Sequence, residues 1–209
     1  MPTHIMTILT YFGDSMLLLP TAVIIAVLLY WKNDDRRVVL FWLLAFGCAG
    51  FIVSLSKIAF LGYGIGSARF NFTGFSGHSA MAATLWPVML WLLSARLSSV
   101  WRKLMLSVGY LIPLIVGISR LELNAHSVSE VVAGLILGYT LSTAFLISQR
   151  ATRPRGFSLA QLCLVLLLPM LLLGNGQVAT TQQFLQRLSV QLAGIDHAWT
   201  REDLLNQGR

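Results

Sequence analysis

Residues 38–61 read VVLFWLLAFGCAGFIVSLSKIAFL, an apolar run whose one charged side chain is Lys57. An α-helix needs about 20 such residues to cross the hydrocarbon core of a bilayer. The rest of the chain has the same character, because 56% of its 209 residues are hydrophobic, 11% are charged and the mean hydropathy is +0.73. These values exclude an ordinary soluble domain and predict an all-α, polytopic membrane protein.

Other apolar runs of similar length flank this one and predict a bundle of six transmembrane helices. The predicted spans cover residues 15–31, 38–61, 77–95, 103–119, 127–148 and 157–174. The last run is interrupted by Pro169, which neighbouring helices in a membrane can accommodate. Residues 3–13 predict instead a short helix at the membrane surface, separated from the first span by Gly13 and Asp14.

Basic residues predict the orientation of the bundle, because Lys and Arg are retained in short cytoplasmic loops. Nine of the fifteen follow the first, third and fifth predicted spans: Lys32, Arg36, Arg37, Arg96, Arg102, Lys103, Arg150, Arg153 and Arg155. The chain is therefore expected in a cytoplasmic membrane, with the loops after spans two and four on the non-cytoplasmic side. The net charge of +7 follows from these loops, so we expect membrane lipids and no nucleic acid as partners.

Residues 175–209 form a polar C-terminal tail beyond the predicted spans. Apolar side chains recur in it at helical spacing over residues 181–195, which predicts an amphipathic helix. We expect this helix to lie on the outer leaflet as an appendage. Residues 1–174 are then a single transmembrane domain with its core at residues 38–148.

Polar residues that stand out in this apolar chain lie where predicted spans begin or end. They are Lys57, Ser76, Gly77, His78, Ser119, Arg120, His126 and Glu130. Alternating the direction of the spans brings all of them to the non-cytoplasmic face. An ionised group costs roughly 2.5–3.5 kcal/mol at the centre of a membrane helix, so their convergence predicts a polar cavity.

The chemistry of these residues is suited to phosphate. Ser76 and Gly77 open a predicted helix, whose free N–H groups and positive dipole end bind anions. Alternatively, Ser76 only caps the helix and Gly77 only packs. His126 and Glu130 share a helix face, so the carboxylate can orient one imidazole nitrogen and leave the other free to attack, unless they are an ordinary surface pair. Arg120 offers a planar set of donors to phosphate oxygens.

These residues resemble the motifs of the type 2 phosphatidic acid phosphatases (PAP2), an all-helical superfamily that also includes the vanadium haloperoxidases. The third family motif is Ser-Arg, five residues, His, three residues and Asp. It matches Ser119, Arg120 and His126 in spacing, with Glu130 in the place of Asp. The resemblance implies a PAP2/haloperoxidase-like core.

The other two motifs match less completely. Of Pro-Ser-Gly-His the chain has residues 76–78, with Phe75 in the place of proline. Of Lys, six residues and Arg-Pro it has only Lys57, because positions 64 and 65 are Gly and Ile. Arg69 can supply the missing guanidinium, or it is a solvated loop residue.

The resemblance implies a mechanism. His126 would accept the phosphoryl group as a phosphohistidine, oriented by Glu130, and water would release phosphate; Glu122 is an alternative orienting group. His78 would protonate the leaving oxygen. The phosphate-binding set would be Lys57, Ser76, Gly77, Arg120 and Arg69, and neither a metal nor a cofactor is required.

Small loops leave little protein to recognise a water-soluble substrate, so the expected partner is a lipid phosphate or diphosphate. Candidates are polyprenyl diphosphate, phosphatidate, phosphatidylglycerol phosphate and the phosphates of a lipid A-like glycolipid. A lipid phosphotransferase with the same residues and a catalytically silent membrane protein of this fold remain as alternatives. The oligomeric state is left open.

Overall fold

The computed structural model describes residues 2–150, 161 and 180–206. Within this part of the chain the structure is helical, apart from loops and one isolated β-bridge between Ser67 and Phe72. The helices are α1 (Pro2–Tyr11), α2 (Ser15–Lys32), α3 (Arg37–Tyr63), α4 (Gly77–Leu93), α5 (Ser99–Glu122), α6 (Val128–Ser148), α7 (Thr180–Ala193) and α8 (Arg201–Asn206). The predicted all-α fold is confirmed.

Among the described residues, four segments are long and apolar enough to cross a membrane: His4–Lys32, Arg37–Tyr63, Ser99–Glu122 and Val128–Ser148. The chain is thus a multi-pass membrane protein. Asp14 separates α1 from α2 as expected, since its side chain accepts a hydrogen bond from the Met16 amide at 2.8 Å and begins α2. The predicted sixth span, residues 157–174, lies outside the described residues, so the count of six spans stays a prediction.

Helix α4 is the centre of the bundle, with fourteen of its residues buried from Ser79 to Leu92. Glycines on the neighbouring helices allow their backbones to approach it closely. A Cβ atom at Gly134 of α6 would lie 2.7 Å from the Ser76 carbonyl oxygen, and one at Gly109 of α5 would lie 2.9 Å from the Cα of Pro87. This close packing holds α5 and α6 against α4.

The C-terminal tail packs on the bundle, so it is more than a loose appendage, and its place at the outer leaflet stays a prediction. The predicted amphipathic helix exists as α7, where Leu185 is buried while Phe184 and Leu192 are exposed. A Cβ atom at Gly62 of α3 would lie 3.1 Å from the Ser189 carbonyl oxygen, and Ser189 is fully buried. The Trp199 amide then donates to the Leu61 carbonyl oxygen at 2.9 Å, which fixes the tail to the end of α3.

Candidate functional site

The ends of α3, α4 and α5 and the α5–α6 loop enclose a cavity of about 610 Å³. Five of the residues predicted to form the site line it: Lys57, Gly77, His78, Arg120 and His126. They come from separate helix ends and a loop, spread over some seventy residues of sequence. The predicted convergence of polar residues is therefore present in the fold.

His126 and Glu130 form the tightest pair at the cavity, with Nδ1 and Oε2 2.7 Å apart. The α6 N-terminus positions both, because Ser127 caps it: the Ser127 amide donates to Glu130 Oε2 at 3.1 Å, and the Glu130 amide donates to Ser127 Oγ at 3.3 Å. Facing an ionised carboxylate, Nδ1 is the protonated nitrogen. Nε2 then keeps its lone pair.

Burial lowers the pKa of His126 below its ordinary value, although the hydrogen bond to Glu130 acts in the opposite direction. The imidazole is consequently neutral at pH 7. A neutral imidazole with a free Nε2 lone pair at a cavity wall is chemically equipped to act as a nucleophile.

Glu130 itself is fully buried and is bound by donors on several sides. Oε1 accepts from the Thr73 amide at 2.8 Å and from the Thr73 hydroxyl at 2.5 Å. Nη2 of Arg201, in the C-terminal tail, lies 2.9 Å from both carboxylate oxygens. This set of donors stabilises the charged carboxylate, so Glu130 presents a fixed acceptor to His126.

Arg120 enters the cavity from the end of α5, where Nη1 donates to Thr10 Oγ1 at 3.0 Å. Its Nε atom is buried and has no hydrogen-bond acceptor among the described residues. A buried N–H group is normally paired, because leaving it unpaired costs about 1–3 kcal/mol. Arg120 also lines the cavity, so its guanidinium brings positive charge to the wall that it shares with His126.

His78 and Lys57 complete the charged lining. His78 Nε2 lies 3.8 Å from Asp14 Oδ2, which is within ion-pair distance. Lys57 Nζ donates to Gln182 Oε1 of α7 at 2.7 Å. A general acid candidate and a second cation thus lie in the same cavity as His126.

Comparison with known proteins places the chain in a family. Residues 61–154 match the profile of the PAP2 superfamily. The chain is also 33% identical over 151 residues to phosphatidylglycerophosphatase B of Bacillus subtilis (strain 168), an alignment that covers 66% of this chain and 70% of that protein. The chain belongs to the PAP2 superfamily. It is accordingly a PAP2-type protein of a family of membrane lipid phosphatases, as the motifs predicted.

The chain is similar to two further proteins, of which the second supports this assignment. The PAP2 protein is 42% identical over 204 residues to an uncharacterized 22.5 kDa protein in the cps region of Klebsiella pneumoniae, covering 96% of this chain and 97% of that one. A crystal structure of a transmembrane PAP2 type phosphatidylglycerolphosphate phosphatase from Bacillus subtilis shares 28% identity and a TM-score of 0.56, covering 73% of this chain and 79% of that one.

Two predicted phosphate ligands of this PAP2 protein are not in the cavity wall. Ser76 is fully buried, and its amide donates to the Glu130 carbonyl oxygen at 3.1 Å, so Gly77 presents the backbone to the cavity instead. Arg69 is exposed, and its guanidinium lies 5.5 Å from the ring centroid of Phe70. Ser119 is also buried, where its hydroxyl donates to the Val116 carbonyl oxygen at 2.7 Å. Phosphate binding by Ser76 and Arg69 stays a prediction.

Gly64, at the position where the first PAP2 motif has arginine, ends α3 in the left-handed conformation with φ of 67°. The Trp199 ring covers it, and a Cβ atom would lie 3.0 Å from two indole carbons. A larger residue is disfavoured by both the backbone and the packing. The tail occupies the space that a first-motif arginine side chain would need.

Sequence reasoning missed the residues that reach the site from elsewhere in the chain. Asp14, Thr73, Gln182 and Arg201 each contact a predicted site residue, but none belongs to a motif. The one available signal was that Arg201 is a basic residue on the face assigned to the site. In the described part of the chain, no three His, Cys, Asp or Glu side chains are grouped to hold a metal ion.

Proposed function

We propose that this PAP2 protein hydrolyses a lipid phosphate or diphosphate through a phosphohistidine at His126, without a metal, on the non-cytoplasmic face of a cytoplasmic membrane. The observation that carries the proposal is that His126, Arg120, Lys57 and His78 line one cavity. The guanidinium of Arg120 suits phosphoryl oxygens, and Lys57 of the same wall adds a second positive charge.

In the first step, Nε2 of His126 attacks phosphorus, forming a P–N bond as the bond from phosphorus to the leaving oxygen breaks. His78 gives its proton to that oxygen, a contribution typically on the order of 10²–10⁴-fold. Asp14 lies close enough to orient His78. Glu130 stabilises the positive charge that develops on the His126 ring, while Arg120 and Lys57 neutralise the phosphoryl oxygens.

In the second step, water attacks phosphorus and the P–N bond breaks. His78, deprotonated by the first step, accepts a proton from that water. Phosphate leaves, and both histidines return to their starting states. Atoms and protons balance over the two steps, and Arg120, Lys57 and Glu130 supply the electrostatic stabilisation.

A lipid substrate is supported by the apolar part of the cavity wall. Leu19, Val53, Phe60, Met81 and Leu185 line it beside the charged groups. Phosphorus can therefore meet His126 while an acyl or prenyl chain contacts apolar side chains. One similar protein is named for phosphatidylglycerophosphate, so phosphatidylglycerol phosphate is the first substrate to test.

The test is phosphate release by the detergent-purified protein from phosphatidylglycerol phosphate, phosphatidate, polyprenyl diphosphate and a lipid A-like glycolipid, with EDTA present. The variants are His126→Ala and, as a matched control, His4→Ala at an exposed position. We expect release by wild type and by the control, and at least a 10³-fold loss in His126→Ala.

Each other result has a definite meaning. A new phospholipid in place of free phosphate would show the phosphotransferase alternative. If no substrate yields either product, the catalytically silent alternative is supported and the proposal fails. Acid-labile phosphate on wild type but not on His126→Ala would demonstrate the covalent intermediate.

A further inference from the structure

Arg201 meets the one fully buried carboxylate among the described residues, that of Glu130. One guanidinium nitrogen, Nη2, lies 2.9 Å from both carboxylate oxygens. The other, Nη1, donates to the Asn71 carbonyl oxygen at 3.0 Å and to Asn71 Oδ1 at 2.5 Å. A buried charge is expensive without a partner, so this ion pair compensates the charge of Glu130.

The tail holds Arg201 at this point through contacts on both sides of it. Trp199 is bound by its amide to Leu61, and its ring covers Gly64. Asp203 Oδ2 accepts from the Thr200 amide at 2.8 Å and from the Thr200 hydroxyl at 2.6 Å, which fixes the turn around Arg201. The guanidinium is therefore placed by the fold and lines the cavity with His126.

We propose that Arg201 is a positioning residue of the active site, whose guanidinium holds the Glu130 carboxylate against His126. The first PAP2 motif has an arginine where this chain has Gly64. In this chain the C-terminal tail brings a guanidinium to the cavity instead, that of Arg201. The inference rests on the function proposed above, because it assigns His126 as the group to be positioned.

The hydrogen bonds of Arg201 indicate that it acts through Glu130. Both terminal nitrogens are engaged by protein acceptors: Glu130, Asn71 and, at 3.3 Å, Thr73 Oγ1. Arg120 differs, because its Nη1 donates to Thr10 and its Nε has no hydrogen-bond partner among the described residues. We therefore assign Arg120 to the phosphoryl group and Arg201 to the orienting carboxylate.

The charges around His126 predict the direction in which the pKa of His126 changes when Arg201 is removed. Groups that face this part of the cavity are Asp14 before α2, Lys57 on α3, His78 on α4, Arg120 on α5, Glu130 on α6 and Arg201 on α8. Removing Arg201 deletes one positive charge and leaves His126 as the ionisable group in contact with the Glu130 carboxylate, beside the neutral donors of Thr73 and Ser127. Both effects favour the protonated ring, so the pKa of His126 should rise.

The first experiment follows that titration without any substrate. The ring signals of ¹³C-labelled histidine are recorded against pH by NMR in wild type, Arg201→Met and Arg201→Lys, and His126→Ala assigns the resonance. We expect the His126 transition to move up by about one pH unit or more in Arg201→Met, and by less in Arg201→Lys. Arg187→Met, at an exposed position on α7, is the matched control and should titrate as wild type does.

The second experiment measures turnover of the same variants. Misalignment of the nucleophile should lower kcat of Arg201→Met on the order of 10–100-fold, with KM nearly unchanged and partial recovery in Arg201→Lys. A raised KM with unchanged kcat would overturn the assignment and make Arg201 a phosphate ligand. An unchanged His126 titration in Arg201→Met would also overturn it.

Two outcomes separate this inference from the proposed function. If wild type releases no phosphate, the proposed function fails, while the titration still tests the contact between Arg201, Glu130 and His126. If Arg201→Met does not fold, Arg201→Gln keeps hydrogen-bonding groups without the charge. The same upward shift of the His126 transition is then expected in Arg201→Gln, and its absence would refute the inference.

Discussion

Replacing Glu130 by glutamine removes the charge from the orienting carboxylate and keeps its size. Oε2 faces His126 Nδ1 at 2.7 Å and the Ser127 amide at 3.1 Å, whereas Oε1 faces the Thr73 amide at 2.8 Å. The amide nitrogen of glutamine therefore meets a backbone N–H group in either orientation. Each orientation leaves one of these buried donors without its acceptor.

The catalytic cost follows from the same geometry. With its nitrogen toward His126, the amide donates to Nδ1, so Nε2 carries the proton and has no lone pair for attack. With its oxygen toward His126, the tautomer is kept, but no negative charge balances the positive charge on the ring. We expect Glu130→Gln to lose about 10³-fold in kcat, roughly 4 kcal/mol of transition-state stabilisation.

The assay is phosphate release at fixed pH, with Glu130→Asp and Glu122→Gln beside Glu130→Gln. Aspartate keeps the charge and restores the family residue, with a side chain shorter by about 1.5 Å, so we expect it to stay within tenfold of wild type. Glu122 is exposed, and its variant should behave as wild type. Activity of Glu130→Gln within tenfold of wild type would refute the orienting role, and a loss in Glu122→Gln instead would move that role to Glu122.

Three further predictions use other parts of the molecule. Because burial lowers the pKa of His126 below its ordinary value of about 6.5, protonation of this ring should reduce phosphate release on the acid side only below pH 6.5; an acid-side loss already centred near pH 7.5 would contradict this. Gly138→Leu should abolish the folded, monodisperse protein in size-exclusion chromatography, since a Cβ atom there already overlaps the Ala80 carbonyl oxygen, whereas Gly47→Ala, with no atom within 4 Å of its Cβ, should elute as wild type does. Gly64→Arg restores a motif residue but should lower the thermal unfolding midpoint without raising kcat, because of the positive φ and the ring of Trp199; higher activity would show that the tail yields at this position.

Properties that depend on neighbouring residues were predictable from the sequence. The run at residues 38–61 became α3 at Arg37–Tyr63, and the run at 127–148 became α6 at Val128–Ser148, because hydropathy over one helix length decides a span. The convergence of the polar residues at one end of the bundle followed from the alternating direction of successive spans. The four-residue spacing of Gly134 and Gly138 likewise favours close helix packing within one chain, and the structure shows both glycines packed against α4 or the residue before it.

The place of the tail depends on contacts that no local pattern carries. Arg201 and Glu130 lie 71 residues apart in sequence, and the amphipathic pattern of α7 is the same whether its apolar side meets lipid or α3. Hydrophobic periodicity shows that a helix has a face to bury and does not identify what buries it. The packing of the tail against α3 also determines which residues surround Lys57 and Gly64.

The incomplete first motif acquires a physical explanation once the tail is in place. An arginine at position 64 conflicts with the indole over that position, because the Cβ of any side chain there would lie 3.0 Å from the Trp199 ring and the ring would have to move. The tail places the ring of Trp199 over position 64. Two residues further along the chain, it places the guanidinium of Arg201 against the Glu130 carboxylate. Replacing Arg201 alone would leave the buried carboxylate of Glu130 without its cation. Replacing Gly64 alone would crowd a new side chain against the ring of Trp199. We therefore expect Gly64, Trp199 and Arg201 to act as one unit, so that the effects of changing them are not additive in stability or in kcat.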